Sequence, residues 1–304
     1  MQLTIDRLGK RYRNGEWGLR GLTLTLEAGT VLGLVGPAGA GKTTLLRLLA
    51  TVMPPTEGTI TWGGEDVLQR PQALRQTLGY LPQFFGVYDA LSGQAFLRYI
   101  AALKGVPDRV ARPRVAELVE RLGLSQIANK TMDHYPNDRR WRVGLGQALL
   151  NDPKLLLIDE PGMTLGPEER SDFYDLLGEF AARRTVIVAT DLVEDVASIA
   201  TTIAMIKGGQ LLVPDVGPGA QPCVTPDLLL RSVRGKVWSL TVSRDMLVEV
   251  RRQHLISRSE RQGSQTLMRV ISAARPYPDA VPDAPTLRDA YTYHMNESVS
   301  ASSS

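Results

Sequence analysis

Residues 30–52 read TVLGLVGPAGAGKTTLLRLLATV, passing from an unbroken apolar run through a glycine-rich turn into a second apolar pattern. The run TVLGLV suits a strand buried on both faces. A helix is predicted to begin inside GKTTLLRLLATV and to stop at Pro54–Pro55, because proline cannot continue it. Between them, GPAGAGKTT (residues 36–44) matches G-x-x-x-x-G-K-[ST] in full, in the strand-to-helix context the pattern requires. Gly36, Gly39 and Gly41 let the backbone wrap closely. With Pro37, Ala38, Ala40 and Thr44 they make a loop whose N–H groups turn toward phosphate oxygens. The helix N-terminus adds partial positive charge. Lys42 is placed to reach the terminal phosphates of a nucleoside triphosphate, and Thr43 to offer a hydroxyl to Mg²⁺.

Working outward, LLLIDE is predicted to be a buried strand delivering Asp159 and Glu160 at its C-terminal end, beside the phosphate loop. Asp159 suits a Mg²⁺ ligand, in part through water, and Glu160 suits the general base that polarises an attacking water. The runs TVIVAT and TIAMIKGGQLLV also alternate with helical patterns, which argues for an α/β core with a parallel sheet. This core is predicted to span residues 1–213, with a mainly helical subdomain at about 84–150. Gly and Pro then crowd together and open a linker, 214–235. Residues 236–295 read as a small α+β domain. There Trp238, Leu240 and Val242 share a strand face, and a helix capped by Ser243 turns Met246, Leu247 and Val250 inward. A hairpin follows, turning at Gln262–Gly263–Ser264, and His254 reads as a packing residue rather than a ligand. The Ser-rich residues 296–304 are predicted to be a disordered tail.

The 304 residues are 43% hydrophobic and 22% charged, ordinary for a soluble globular protein. A net charge of +3 does not by itself imply nucleic acid or an anionic membrane as partner. The single cysteine, Cys223, cannot form an internal disulfide, which suits a reducing compartment. No apolar run approaches the roughly 18 residues that span a bilayer. A cytoplasmic protein is expected, on the inner face of the membrane only through a partner.

With these residues in hand, the chain resembles the ATP-binding subunits of ABC transporters, and among them the bacterial exporters of the bacitracin-resistance type. The resemblance runs from the N-terminus to about Val213 and includes the C-terminal domain ending in TLRDAYTYHM. It implies a P-loop ATPase core with a helical subdomain, ATP and Mg²⁺ as ligands, and a membrane permease on a separate chain. It puts Tyr12 where an aromatic stacks on adenine, and Gln83, in LGYLPQ, where a glutamine touches Mg²⁺ or water and senses the permease. Phe84, Phe85 and Tyr88 fall either at the permease contact or in the core.

The resemblance breaks at three places. LSGQ, residues 91–94, imitates the family signature but lies too soon after Gln83, and Ser92 is better read as a helix N-cap. The signature position itself, aligned through RVGLGQALLNDP, is Tyr135, Pro136, Asn137 and Asp138. In the family this motif presses a serine hydroxyl and glycine N–H groups onto the partner's nucleotide. Pro136 offers neither group, and Asn137 or Asp138 is expected to cap its own helix. A carboxylate roughly 4 Å from one phosphate charge costs about 4 kcal/mol at an effective dielectric near 20. Arg139, Arg140 and Arg142 offset part of that cost or form a solvated helix face. Gly166 replaces the aspartate that communicates across the dimer, and Asp191 stands at the switch histidine, able only to accept where imidazole can donate.

The expected function is therefore the energy-coupling ATPase of an exporter, as a homodimer or as a heterodimer with a consensus sister chain. A self-paired dimer would carry every altered motif and turn over slowly. The alternative is an ATP-dependent regulatory module with hydrolysis largely lost, against which the intact Glu160 argues. A DNA-repair ATPase of the same superfamily would need long coiled coils, and no sustained heptad run is present.

Overall fold

The computed structural model describes residues 1–217 and 219–300, the last four of these as backbone only. The chain divides into two compact units, Met1–Thr202 with Ile206–Leu211, and Ile203–Met205 with Leu212–Ser304. In order, the elements of the first part are β1 (Leu3–Arg11), β2 (Trp17–Leu26), β3 (Val31–Val35), α1 (Lys42–Leu49), β4 (Glu57–Trp62), β5 (Glu65–Asp66), α2 (Pro71–Arg75) and β6 (Leu78–Leu81). Then come α3 (Gly93–Leu103), α4 (Asp108–Arg121), α5 (Asn137–Leu149), β7 (Leu155–Asp159), α6 (Pro167–Ala181), β8 (Thr185–Thr190), α7 (Val193–Val196), β9 (Thr202–Lys207) and β10 (Gln210–Leu212).

The central sheet runs β10-β9-β3-β8-β7-β6, with β3, β8, β7 and β6 parallel. Every residue of β3, β7 and β8 is buried, as continuous apolar runs covered on both faces must be. Register then fixes the geometry of the site. Val35 lies beside Thr190 and Asp159 beside Ala189, so the chain leaves all these strands at one edge. A second, antiparallel sheet, β2-β1-β4-β5, completes the unit's strands. The helix α1 stops at Leu49, short of the prolines expected to end it, because Thr51 turns into the left-handed region at φ 56°.

Within the helical segment, Phe85 packs edge-on to Trp141 at 5.2 Å, and Trp141 to Phe173 at 6.2 Å. The alternatives left open for the aromatics after Gln83 thus divide. Phe85 is a packing residue, while Phe84 (82% exposed) and Tyr88 (57%) lie at the surface. Ser92 caps α3, its Oγ accepting from the Ala95 N–H at 3.2 Å, as expected for a residue outside any signature.

The second unit continues with β11 (Cys223–Val224), α8 (Pro226–Ser232), β12 (Val237–Ser243), α9 (Leu247–Gln253), β13 (Leu255–Gln262), β14 (Gln265–Ile271), β15 (Val281–Pro282) and α10 (Leu287–Ser300). Its antiparallel sheet runs β13-β14-β12-β15. Leu240, Val242, Val250, Met268 and Val270 make its core, with Trp238, Leu247 and Ile256 packed against it. His254 packs edge-on to Tyr277 at 5.4 Å. Two local expectations change. Ser243 ends β12, so Met246 rather than Ser243 stands at the N-cap of α9 and is 38% exposed. Disorder was expected from residue 296, but burial of Ala290, His294 and Met295 anchors α10, which continues to Ser300. Residues 301–304 of that tail lie outside the described residues.

Candidate functional site

The chain leaves β3 at Val35 and turns sharply at Gly36, where a Cβ would sit 2.3 Å from the Ile206 carbonyl oxygen. It enters α1 through Gly41, at φ 109°, a conformation L side chains avoid. No side chain caps α1, so its first N–H groups face the cavity in front of the loop. That cavity, of about 420 Å³, is lined by Tyr12, residues 38–44, Gln83 and Glu160. Segments far apart in sequence meet there. Glu16, Trp17 and Gly18 also line it, and none was anticipated. The signal available for them was local: a short turn, with the Tyr12 N–H donating to Glu16 O at 2.8 Å, brings Trp17 back beside Tyr12.

Lys42, 5% exposed, uses all the donors an ammonium has. Its Nζ donates to Gly36 O at 2.6 Å and Pro37 O at 3.2 Å, and pairs with Glu160 Oε1 at 2.9 Å. Glu160 reaches it because its own backbone lies at φ 47°, a strained setting for a non-glycine residue. The other carboxylate oxygen, Oε2, accepts the Asp191 N–H at 3.2 Å. Thus Asp191 touches Glu160 through its backbone, while its side chain is exposed.

Asp159 is 1% exposed. Its Oδ1 accepts from Thr43 Oγ1 at 3.0 Å, and its buried Oδ2 has no partner. Burial pushes its carboxyl up to about 6. A bare carboxylate oxygen beside a threonine hydroxyl, under a phosphate-binding loop, is a donor set that fits a hard divalent cation. Gln83 lines the same cavity and donates through Nε2 to Met163 Sδ at 2.7 Å. The Tyr12 hydroxyl hydrogen-bonds Thr44 Oγ1 at 2.8 Å, and its ring lies over Gly18.

Tyr135 to Asp138, Gly166 and Asp191 lie outside this lining. Tyr135 is 5% exposed, its hydroxyl donating to Ile127 O at 2.6 Å and lying against Gly93, where a Cβ would be 2.6 Å away. Burial raises its phenol. Pro136 is the N-cap of α5, and neither Asn137 nor Asp138 caps it: both are already helical. Asp138 instead pairs with Arg139 Nε at 3.1 Å and lies 3.9 Å from Arg142 Nε. Nor do the arginines form a solvated face. Arg139 donates to Gly123 O and Arg142 to Leu122 O, the bare carbonyls just past the end of α4, while Arg140 pairs with Asp89 at 2.9 Å. Gly166 is the N-cap of α6, and its N–H donates to Glu169 Oε2 at 3.0 Å.

The family model described as ABC transporter matches residues 19–163. An uncharacterised ABC transporter ATP-binding protein of Bacillus subtilis, YxlF, is 33% identical over 209 residues, covering 69% of each chain. The chain belongs to the ABC transporter ATP-binding family. This ABC chain is also 34% identical over 211 residues to the daunorubicin resistance ATP-binding protein DrrA3 of Streptomyces coeruleorubidus, covering 69% of its own length and 66% of DrrA3. Among solved structures it matches an ATP-binding subunit of an ABC transporter at TM-score 0.64 and 21% identity, over 76% of this chain and 93% of that one. A dimeric, post-hydrolysis ATP-binding cassette bound to ADP and Pi matches at 0.62 and 22%, over 69% and 96%. These two likenesses concern the fold. Among the described residues, no helix is long and apolar enough to cross a membrane.

Proposed function

We propose that this ABC chain is the ATPase of an exporter, coupling ATP binding and slow hydrolysis to a permease on a separate chain, from the inner face of the membrane. One observation carries the proposal: Lys42, Thr43 and Glu160 share one cavity lining, and behind Thr43 lies Asp159 with an unpartnered buried oxygen. Its likeness to a drug-resistance ATP-binding protein supports the exporter direction.

In this reading Tyr12 and Trp17 hold the adenine, and residues 36–44, Pro37 excepted, surround the phosphates with N–H groups. Lys42 exchanges Glu160 for phosphate oxygens, which frees the Glu160 carboxylate to take a proton from water. Thr43, Asp159 and Gln83 hold Mg²⁺, which supplies charge stabilisation on the phosphates when bound. The Asp191 N–H keeps Glu160 aimed during this exchange.

Two nucleotide domains acting as a pair would place Tyr135 to Asp138 on the partner's nucleotide. A heterodimer with a consensus chain then has one good composite site and one poor one; a homodimer has two poor ones. The second reading, a regulatory module held closed by ATP, is favoured by the N-cap of α5, where Pro136 supplies neither hydroxyl nor N–H. Steady-state phosphate release from the purified chain, against Glu160→Gln, separates the two. A rate that falls to background in the variant supports the ATPase; equal rates support the module.

A further inference from the structure

Among the described residues, two acids line the cavity in front of α1, Glu160 and Glu16. Glu160 pairs with Lys42 at 2.9 Å, beside the phosphate loop. Glu16 lies on the turn from β1 to β2, between Tyr12 and Trp17 in the chain, and a neutral side chain holds it. Asn14 Nδ2 donates to Glu16 Oε2 at 2.6 Å. The neighbouring cation, Arg11, donates to Gly15 O at 2.9 Å and lies 5.9 Å from the centre of the Trp17 ring.

The turn is built to hold that carboxylate. Arg11 stands opposite Trp17 in the β1–β2 register. Beyond that pair, the Tyr12 N–H donates to Glu16 O at 2.8 Å and the Gly15 N–H to Tyr12 O at 2.9 Å. Gly15 takes φ 88°, which closes so short a loop without steric strain. Asn14 then grips Glu16 twice, its Oδ1 taking the Glu16 N–H at 3.1 Å while its Nδ2 reaches the carboxylate. An exposed glutamate held in this way has already lost rotamer freedom that binding would otherwise have to remove. A carboxylate only accepts, and its two oxygens have room for more donors than the one Asn14 supplies. Phosphate groups bring no such donor and would be repelled. A base amine or a ribose hydroxyl would not.

Taking Tyr12 and Trp17 as the adenine platform proposed above, we infer that Glu16 selects the base, accepting a hydrogen bond from the exocyclic amine of adenine. Stacking alone cannot choose, because every base has a π-face. A carboxylate opposite the 6-position can. Adenine puts a donor there, and hypoxanthine puts an oxygen that repels it. The place of Glu16 beside Trp17 favours the base over the ribose as its partner. Glu16 thus sets specificity and takes no part in the chemistry.

Titration calorimetry of the full chain with Mg²⁺ and ADP, IDP or 2′-deoxy-ADP tests this without turnover. ADP should bind at least about fivefold more tightly than IDP, with 2′-deoxy-ADP following ADP. Glu16→Gln should bring the ADP-to-IDP ratio close to one, since an amide can accept from the amine or donate to the oxygen. The Glu16 side chain is exposed, so the melting curve should not move; if it does, Glu16→Ser is judged by the same standard. Absence of binding, or binding that survives Lys42→Ala, overturns the nucleotide site and the selection with it. Equal binding of ADP and IDP to the unaltered chain overturns the base selection alone. So does a preference that Glu16→Gln leaves intact, or one that follows the 2′-hydroxyl instead.

Discussion

Two helix N-termini in the same unit, those of α1 and α5, have opposite chemistry. At α1 the entry is Gly41, no side chain caps the first turn, and the cavity in front stays open. At α5 the entry is Pro136, Tyr135 is buried behind it, and Asp138 occupies the first turn with Arg139 as counter-ion. The helix dipole is common to both. What differs is whether the chain has already placed its own groups where an anion would sit. The N-terminus of α6 makes the same point, since the Glu169 carboxylate already takes the Gly166 N–H.

Replacing the α5 entry should have the largest effect on turnover. With Tyr135→Leu, Pro136→Ser, Asn137→Gly and Asp138→Gly, phosphate release by a self-paired chain should rise by about tenfold or more if the proposed pairing holds, as a repulsive carboxylate goes and donors are added. An unchanged rate would mean that α5 does not face a nucleotide and that the contrast has no functional meaning.

A smaller effect sharpens the α1 side. Asp159 has a carboxyl pKa raised from 3.8 to about 6 by burial, so above pH 6 its charge destabilises the nucleotide-free fold, and below pH 4 it does not. Asp159→Asn should therefore stabilise the nucleotide-free chain by about 1–3 kcal/mol above pH 6, the gain fading toward pH 4. Thermal melts at pH 8 and pH 4 read this directly. The same variant should lose the stabilisation that Mg²⁺ and ATP together confer. A variant less stable at pH 8 would contradict a buried carboxylate with one oxygen left unpartnered.

The smallest expected effect concerns the signature look-alike. Ser92→Ala should cost about 1 kcal/mol through the lost cap of α3 and leave phosphate release untouched. A change in ATPase rate would give LSGQ a role that its position does not support.

Much of this was readable before the structure, and the parts that were not share a cause. The strands carrying the phosphate loop and Asp159 are long apolar runs whose burial is nearly forced, so the loop and Asp159–Glu160 could be set beside each other from sequence. The cap of Ser92 was equally local. By contrast, Asp138 was misread as a cap because its true partners depend on α4 ending beside it, with Leu122 and Gly123 offering carbonyls to the arginines. Glu16 and Trp17 were missed because no motif marks them; only the turn after Tyr12 brings them to the cavity. The Lys42–Glu160 pair was hidden for another reason: it depends on the left-handed backbone of Glu160, which sequence does not announce.

The central claim is that the open end of α1 is where this chain holds a triphosphate. Titration calorimetry of the purified chain with a non-hydrolysable ATP analogue and Mg²⁺ tests it most directly. Saturable binding at one site per chain, abolished by Lys42→Ala, is the predicted result. No heat of binding, or the same binding without the lysine, would contradict it.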